Sequence, residues 1–142
     1  MLEQLKQGVA TESPEQMQAL AAEVAQVIPE NTTLALHGNL GVGKTTFVQG
    51  LALAWEIPDQ ITSPTFNLLS MYRGTRTLLH LDAYRLNHPD EIDSLMLDDF
   101  MAPPYCLVVE WPERLGERLP HPCQHIELSI RGRVHEARSL GL

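Results

Sequence analysis

The sequence predicts an α/β domain, and three observations support this prediction. Residues 33–36 form a short apolar run with no polar face, which is typical of a buried parallel strand. Segments with apolar residues at helical spacing precede and follow that run. A glycine-rich loop joins the predicted strand to the helix after it. The chain has 142 residues, so we expect one domain spanning residues 1–142.

Composition limits the classes of function. Ten Lys and Arg against eighteen Asp and Glu give a net charge of −8, which repels nucleic-acid backbones and favours a basic protein partner. Cys106 and Cys123 fit neither a C-x-x-C motif nor a disulfide framework. The chain starts without a signal-like segment, and no apolar run reaches the roughly 18 residues of a membrane span. We therefore expect a cytoplasmic protein with no membrane association and no disulfide partner.

The first predicted helix opens at Ser13. This residue can cap the helix, Pro14 suits its first turn, and Gln16 can complete a capping box. Pro29 ends the helix before the strand at 33–36. Its role is expected to be mainly structural, although Thr11 and Ser13 could border a bound base.

The loop after this strand has the spacing of a phosphate-binding loop. Gly38 is followed by four residues and then by Gly43-Lys44-Thr45, which fits the pattern G-x-x-x-x-G-K-[ST]. Glycines let backbone N–H groups converge on a phosphate, a lysine neutralises its charge, and the hydroxyl of Thr45 can bind Mg²⁺. The predicted nucleotide-binding residues are Gly38, Asn39, Leu40, Gly41, Val42, Gly43, Lys44, Thr45 and Thr46.

A helix is predicted from this loop to Pro58, and its N-terminus points at the phosphates. A segment rich in hydroxyl groups follows the helix. In it, Thr62, Ser63 and Thr65 could contact the γ-phosphate, its metal or the attacking water as a switch, and an ordinary Ser-Pro turn is the alternative.

Residues 67–72 and 77–81 are predicted to be two strands joined by a turn at 73–76. The second strand ends in Asp82, the arrangement that places a carboxylate beside a phosphate loop. Asp82 is the predicted magnesium ligand of Walker B type, held directly or through water, and a simple loop aspartate is the alternative. His80 is expected to be structural.

Residues from His88 to the Pro103-Pro104 pair are predicted to form a third helix. Its apolar positions are Ile92, Leu95, Met96 and Phe100. Five acidic residues, Asp90, Glu91, Asp93, Asp98 and Asp99, form its polar face. That face is either simply solvated or a docking surface for a basic partner.

The strongest strand signal is at 105–112, and it contains Glu110. We expect Glu110 either to position or deprotonate the attacking water, or to make a second, water-mediated metal contact. The aromatic Trp111 is expected at the rim of the site. Residues 125–130 and 134–140 are predicted to form a hairpin at an antiparallel edge of the sheet.

ATP is the expected nucleotide. The only lysines are Lys6 and Lys44, and neither fits the [NT]-K-x-D motif that reads guanine. The segments between strands are short for the lid and acceptor pocket of a small-molecule kinase. The residues alone therefore indicate a small ATPase whose conformational change acts on a partner.

Four motifs in this order resemble the TsaE family, the bacterial ATPases required for threonylcarbamoyladenosine in tRNA. They are the loop at 38–46, S-P-T-F at 63–66, H-L-D-A-Y-R at 80–85 and E-W-P at 110–112. The sequence departs from the family at Asn39, where an Asp is frequent, and around Met96, where a glycine is often found. These departures concern the loop's fine structure and partner fit.

The resemblance implies a single-domain P-loop NTPase fold, with a central parallel sheet, flanking antiparallel strands and helices on both faces. It also implies ATP and Mg²⁺ as cofactors and catalytic roles for Lys44, Asp82 and Glu110, with Thr45, Asp82 and Glu110 at the metal. The implied partners are TsaB and TsaD, with tRNA reached only through their complex. Two alternatives stay open: a nucleotide-gated binding module with incidental hydrolysis, and a small-molecule kinase.

Overall fold

A computed structural model describes residues 2–39, 41–62, 68–131 and 134–140 of the chain, without the side chains of residues 2 and 3. Leu40, Ser63 and Thr65 from the predicted site lie outside the described residues. Within the described residues, no helix has the length and apolar character that crossing a membrane requires.

The structure contains three α-helices and seven strands among its described residues. The helices are α1 (Leu2–Gln7), α2 (Pro14–Val27) and α3 (Lys44–Ala54). The strands are β1 (Val9–Thr11), β2 (Thr32–His37), β3 (Leu69–Arg73), β4 (Thr77–Asp82), β5 (Tyr105–Glu110), β6 (Cys123–Arg131) and β7 (Val134–Ser139).

All seven strands form one sheet in the order β1-β7-β6-β2-β5-β4-β3. The four central strands, β6, β2, β5 and β4, pair in parallel. On one side β7 and then β1 are antiparallel, and on the other side β3 is antiparallel. The predicted fold class, a central parallel sheet with flanking antiparallel strands, is confirmed, but of the helices predicted on both faces the described residues form α-helices on one face only.

Each face of the sheet has its own apolar core. The three α-helices cover one face, where they pack on Leu34 and Leu36 of β2 and on Val108 of β5. The other face is covered by loops and by short 3₁₀ helices, through buried side chains such as Ile92 and Leu115. Since β2 and β5 are buried on both faces, their near-continuous apolar sequence follows from their position in the sheet.

The predicted cap of α2 is present. Pro14 is the first residue of the helix, and the Oγ of Ser13 accepts a hydrogen bond from the backbone N–H of Gln16 at 3.1 Å. The Gln16 side chain accepts from the N–H of Glu12, one residue before the cap, at 2.8 Å. The two bonds satisfy donors at the helix start that have no partner within the helix.

The predicted third helix is wrong. The segment contains two separate 3₁₀ helices, Pro89–Leu95 and Leu97–Phe100. Met96 between them has a φ of 51°, in the left-handed region that glycine adopts most easily. Its side chain is 63% exposed, whereas Ile92 and Leu97 are buried, so the buried positions follow a different spacing from the predicted stripe.

The prediction that the C-terminal hairpin forms a sheet edge is also wrong. The hairpin exists, but β6 lies beside the central β2, and β1 pairs outside β7 to form the edge. Neither β1 nor α1 is among the elements that the sequence predicts. A strand of three residues carries too little alternation to be recognised from its pattern.

Candidate functional site

The phosphate loop runs from the end of β2 to the start of α3, as predicted. Gly38 has a φ of 146°, and a Cβ there would lie 2.6 Å from the carbonyl oxygen of Leu128. A side chain at this position would therefore collide with the backbone of β6 as well as strain the loop. From β7, the Nδ1–H of His135 donates a 3.0 Å hydrogen bond to the carbonyl oxygen of Val42.

Lys44 is only 5% exposed, and three groups surround its ammonium. Its Nζ donates to the carbonyl oxygen of Gly38 at 2.8 Å and lies 4.1 Å from the centroid of the Trp111 ring. The third group is Oε1 of Glu110, at 3.9 Å. That separation is longer than a charge-assisted hydrogen bond, so the ammonium faces this carboxylate without being tied to it.

Asp82 and Glu110 are the last residues of β4 and β5, and they are direct neighbours in the parallel register. The Asp82 Oδ1 accepts a 3.0 Å hydrogen bond from the backbone N–H of Tyr84. Glu110 is 4% exposed. Because parallel strands end at the same edge of the sheet, two acids that are distant in sequence lie side by side beneath the loop.

A cavity of about 300 Å³ brings most of the predicted site residues together. It is lined by Gly41, Gly43, Lys44, Thr45, Thr46, Asp82, Tyr84, Glu110 and Trp111. Gly38, Asn39 and Val42 line a second cavity, of about 660 Å³, and Trp111 lies in the wall of both.

The donors in the smaller cavity suit magnesium. Thr45 offers a hydroxyl, and Asp82 and Glu110 offer carboxylates. Mg²⁺ prefers such oxygen ligands and usually keeps several waters and phosphate oxygens in its shell, so it does not need a cage made only of protein. The described part of the chain contains no group of three His, Cys, Asp or Glu side chains arranged to hold a metal ion.

The switch segment can be described only in part. Thr62 is exposed and does not line the cavity in the described part of the chain. Ser63 and Thr65 lie outside the described residues, so their role stays a prediction.

Burial acts on both charges at the floor of the cavity. It lowers the pKa of Lys44, and the negative charges of Glu110, Asp82 and Glu113 oppose that effect. Burial also raises the pKa of Asp82, and the negative charge of Glu110 raises it further. The Tyr84 N–H, His80 and Lys44 act in the opposite direction. The ionised Asp82 is therefore less favourable in the folded protein than in water.

We expect Asp82→Asn to raise the midpoint temperature of thermal unfolding at pH 7 in the absence of divalent cations. The folded-state pKa of Asp82 is raised, so ionisation penalises the folded state above that pKa. The penalty fades as the pH falls through the folded-state pKa, and it is absent below the ordinary value of 3.8. Thermal unfolding with a chelator at several pH values measures the difference.

The matched control for this prediction is Asp59→Asn, which makes the same chemical change at an exposed position. It should leave the midpoint unchanged at every pH. A lower midpoint for Asp82→Asn at pH 7 would contradict the prediction, because it would mean that the charged form stabilises the fold.

A third, smaller cavity of about 100 Å³ lies against the phosphate loop. Ser13, Met17 and His135 line it, together with Gly43 and Thr46, which also line the 300 Å³ cavity. Ser13, one of the two residues suggested to border a base, is thus at this cavity. The other, Thr11, is buried and donates from Oγ1 to the carbonyl oxygen of His135 at 3.3 Å.

Two contacts at the site are not among those that the sequence predicts. His80, expected to be structural, is fully buried with its Nε2 2.5 Å from Oε2 of Glu110. Its position two residues before Asp82, on the same face of the strand, was the available signal. His135 contacts the phosphate loop from β7, and no local pattern could have shown this because the residues are 93 positions apart.

Comparison with known proteins identifies the family. The family model described as "Threonylcarbamoyl adenosine biosynthesis protein TsaE" matches residues 11–140. A protein from Treponema pallidum named tRNA threonylcarbamoyladenosine biosynthesis protein TsaE is 38% identical over 107 residues, covering 75% of this chain and 79% of that protein. The protein of the same name from Bacillus subtilis is 37% identical over 123 residues, covering 86% and 77%.

A solved structure agrees with these matches. The crystal structure of YdiB from Bacillus subtilis superposes with a TM-score of 0.69 at 31% sequence identity, and the match covers 92% of this chain and 81% of YdiB. The family model spans the phosphate loop, both acid-ending strands and the C-terminal hairpin. From this agreement of sequence and fold we conclude that the chain belongs to the TsaE family.

Proposed function

We propose that this protein is a Mg²⁺-dependent ATPase that acts on a complex of TsaB and TsaD. Membership of the TsaE family gives it a role in the biosynthesis of threonylcarbamoyladenosine in tRNA. The proposal concerns how it serves that role: by hydrolysing ATP in a cycle that changes its interaction with partners, and not by modifying tRNA itself.

One observation carries the proposal. Lys44, Thr45, Asp82 and Glu110 line a single cavity of about 300 Å³ at the N-terminus of α3. A helix N-terminus, a lysine and backbone amides favour phosphate binding, and a hydroxyl with two carboxylates favours a magnesium ion beside it. A site that only held a phosphate would not need two acids, because like charges near an anion weaken its binding.

The chain's own residues supply the steps of hydrolysis. Lys44 exchanges its bond to the Gly38 carbonyl for the β/γ-phosphates, and the loop amides hold the phosphates in place. Thr45 and Asp82 would hold Mg²⁺, which when bound neutralises negative charge on the phosphate oxygens. Glu110 orients or deprotonates the attacking water through Oε1, or contacts the metal through water.

The base of ATP is proposed to lie in the 100 Å³ cavity. Gly43 and Thr46 line both this cavity and the phosphate cavity, so a nucleotide can extend from one into the other. Met17 offers an apolar surface for the ring, and Ser13 and His135 offer polar groups at its edge.

The net charge supports a protein partner over direct binding of tRNA. At −8 the chain repels a phosphate backbone at long range, and it attracts basic surfaces. We therefore propose that tRNA is reached only through the complex with TsaB and TsaD.

The test combines hydrolysis with a pull-down. The tagged protein is incubated with purified TsaB and TsaD in the presence of ATP, ADP or no nucleotide, and both retention and phosphate release are measured. We expect retention that depends on the nucleotide, and hydrolysis that the complex stimulates. Lys44→Ala is the control, because without the lysine retention should no longer respond to ATP.

The outcomes separate the proposal from its alternatives. An absence of phosphate release with TsaB and TsaD present would contradict the ATPase. Retention that depends on ATP without a need for hydrolysis would favour a nucleotide-gated binding module. Transfer of the γ-phosphate to an acceptor other than water would indicate a small-molecule kinase.

A further inference from the structure

We propose that His80 is a positioning residue that fixes the orientation of the Glu110 carboxylate and keeps it from pairing tightly with Lys44. This inference rests on the proposed function. It assigns to a fully buried residue of β4 a role at the phosphate cavity, which it does not itself line.

His80 is buried with incomplete hydrogen bonding. The side chain is 0% exposed on a strand that otherwise carries leucines between Thr77 and Asp82. Its Nδ1 is buried without a hydrogen-bond partner among the described residues. A leucine would fill such a place without leaving a polar atom unsatisfied, and local rules of this kind are broken mainly at functional sites.

The hydrogen bond between His80 and Glu110 has a defined direction. Nε2 lies 2.5 Å from Oε2 of Glu110, and an ionised carboxylate only accepts hydrogen bonds. Nε2 must therefore carry the proton and donate it. The ring is held by its strand and by burial, so it fixes Oε2 of a carboxylate that would otherwise turn about its terminal torsion.

The other carboxylate oxygen of Glu110, Oε1, faces Lys44 without a close contact. Oε1 lies 3.9 Å from Nζ of Lys44, while the same Nζ is 2.8 Å from the Gly38 carbonyl oxygen. Two opposite charges in a buried site attract strongly, yet they stay apart by about 1 Å more than a charge-assisted hydrogen bond. The His80 contact accounts for this separation, because it holds the carboxylate back.

Two consequences follow for the site. Lys44 keeps its ammonium available for a phosphate, since no carboxylate occupies it. Oε1 of Glu110 keeps one direction toward the cavity, where a water or a hydrated metal would meet it. A misplacement of about 1 Å in such a group can lower turnover about a hundred-fold.

The experiment compares three substitutions at His80. In Gln, the side-chain amide nitrogen is about as far from the backbone as Nε2, so His80→Gln can still donate to Glu110. His80→Asn places its amide nearer the backbone and cannot reach, and His80→Leu has no donor. The kcat and KM for ATP hydrolysis are measured for each variant with TsaB and TsaD, and thermal unfolding is recorded alongside.

We expect kcat to fall about a hundred-fold in the Asn and Leu variants. The kcat of His80→Gln should be at least about ten-fold higher than theirs. Should the leucine variant fail to fold, the comparison of Gln with Asn still decides the question. Equal kcat values for Gln and Asn would overturn the proposal, and so would a wild-type kcat in any folded variant without a donor.

A double-mutant cycle tests whether His80 acts through Glu110. In a Glu110→Gln background, His80→Asn should lower kcat by less than about three-fold, because the group that it positions has been removed. A further hundred-fold loss in that background would overturn the proposal.

One measurement does not depend on hydrolysis. Nitrogen-15 NMR of the labelled protein should show His80 as the tautomer with its proton on Nε2, and Glu110→Ala should shift that signal strongly. If the His80 nitrogen signal has the same chemical shift in Glu110→Ala as in the wild type, the positioning contact itself is contradicted. A wild-type protein that shows the contact and hydrolyses no ATP would instead contradict the proposed function.

Discussion

Glu110→Gln is expected to lower kcat for ATP hydrolysis about a thousand-fold while ATP affinity stays nearly unchanged, because the change removes the group that we propose accepts or directs a proton. Gln keeps the length of the side chain, and its amide oxygen can still accept the hydrogen bond from Nε2 of His80. Without nucleotide, Lys44 keeps its contacts with the Gly38 carbonyl and the Trp111 ring. Steady-state phosphate release and titration with a fluorescent ATP analogue measure the two quantities.

Two comparisons sharpen this prediction. Glu117→Gln makes the same change at an exposed carboxylate outside the site, and it should leave kcat unchanged. Lys44→Ala should behave in the opposite way to Glu110→Gln and lose ATP affinity first, since the proposed role of its ammonium is to contact the phosphates in the ground state. Hydrolysis by Glu110→Gln at the wild-type rate would refute a catalytic role for this carboxylate.

The same variant distinguishes the two main functional hypotheses in cells. If hydrolysis drives the cycle, Glu110→Gln should bind the TsaB and TsaD complex without being released, and threonylcarbamoyladenosine in tRNA should fall. If ATP only orders a docking surface, modification should continue. Mass spectrometry of digested tRNA from a strain carrying only the variant decides between them.

Gly50→Ala is expected to destabilise the protein by about 2 kcal/mol, although alanine is the better helix former by about 1 kcal/mol. A Cβ at Gly50 would lie 2.4 Å from the Gln18 carbonyl oxygen and 2.6 Å from Cβ of Ala21. Both atoms belong to α2, and the first is backbone. The new methyl group can therefore fit only if α2 moves away from α3. Equilibrium unfolding in urea measures the free-energy difference.

The control for Gly50 is Leu53→Ala on the same helix. Leu53 is 64% exposed, so its truncation should change the free energy of unfolding by less than about 0.5 kcal/mol. A Gly50→Ala protein as stable as the wild type would show that the two helices tolerate a wider separation. Gly50→Val should destabilise further, because a branched side chain meets the same backbone.

Local sequence was enough to predict the features that depend on interactions between residues close together in the chain. The phosphate loop, the cap at Ser13 and the acid at the end of β4 are set by residues a few positions apart. The two 3₁₀ helices were mistaken for one α-helix because Met96 is compatible with a helix by propensity. Only its tertiary setting places it in the left-handed region.

The sequence by itself determined the class of fold, the phosphate loop and the two acids as candidates for metal and water. These depend on patterns that are complete within one segment. The tertiary structure alone decided that Asp82 and Glu110 are neighbours, that His80 contacts Glu110, and that His135 contacts the phosphate loop. Such contacts join residues 28 or more positions apart, and they follow from the order and register of the sheet, which no single segment encodes.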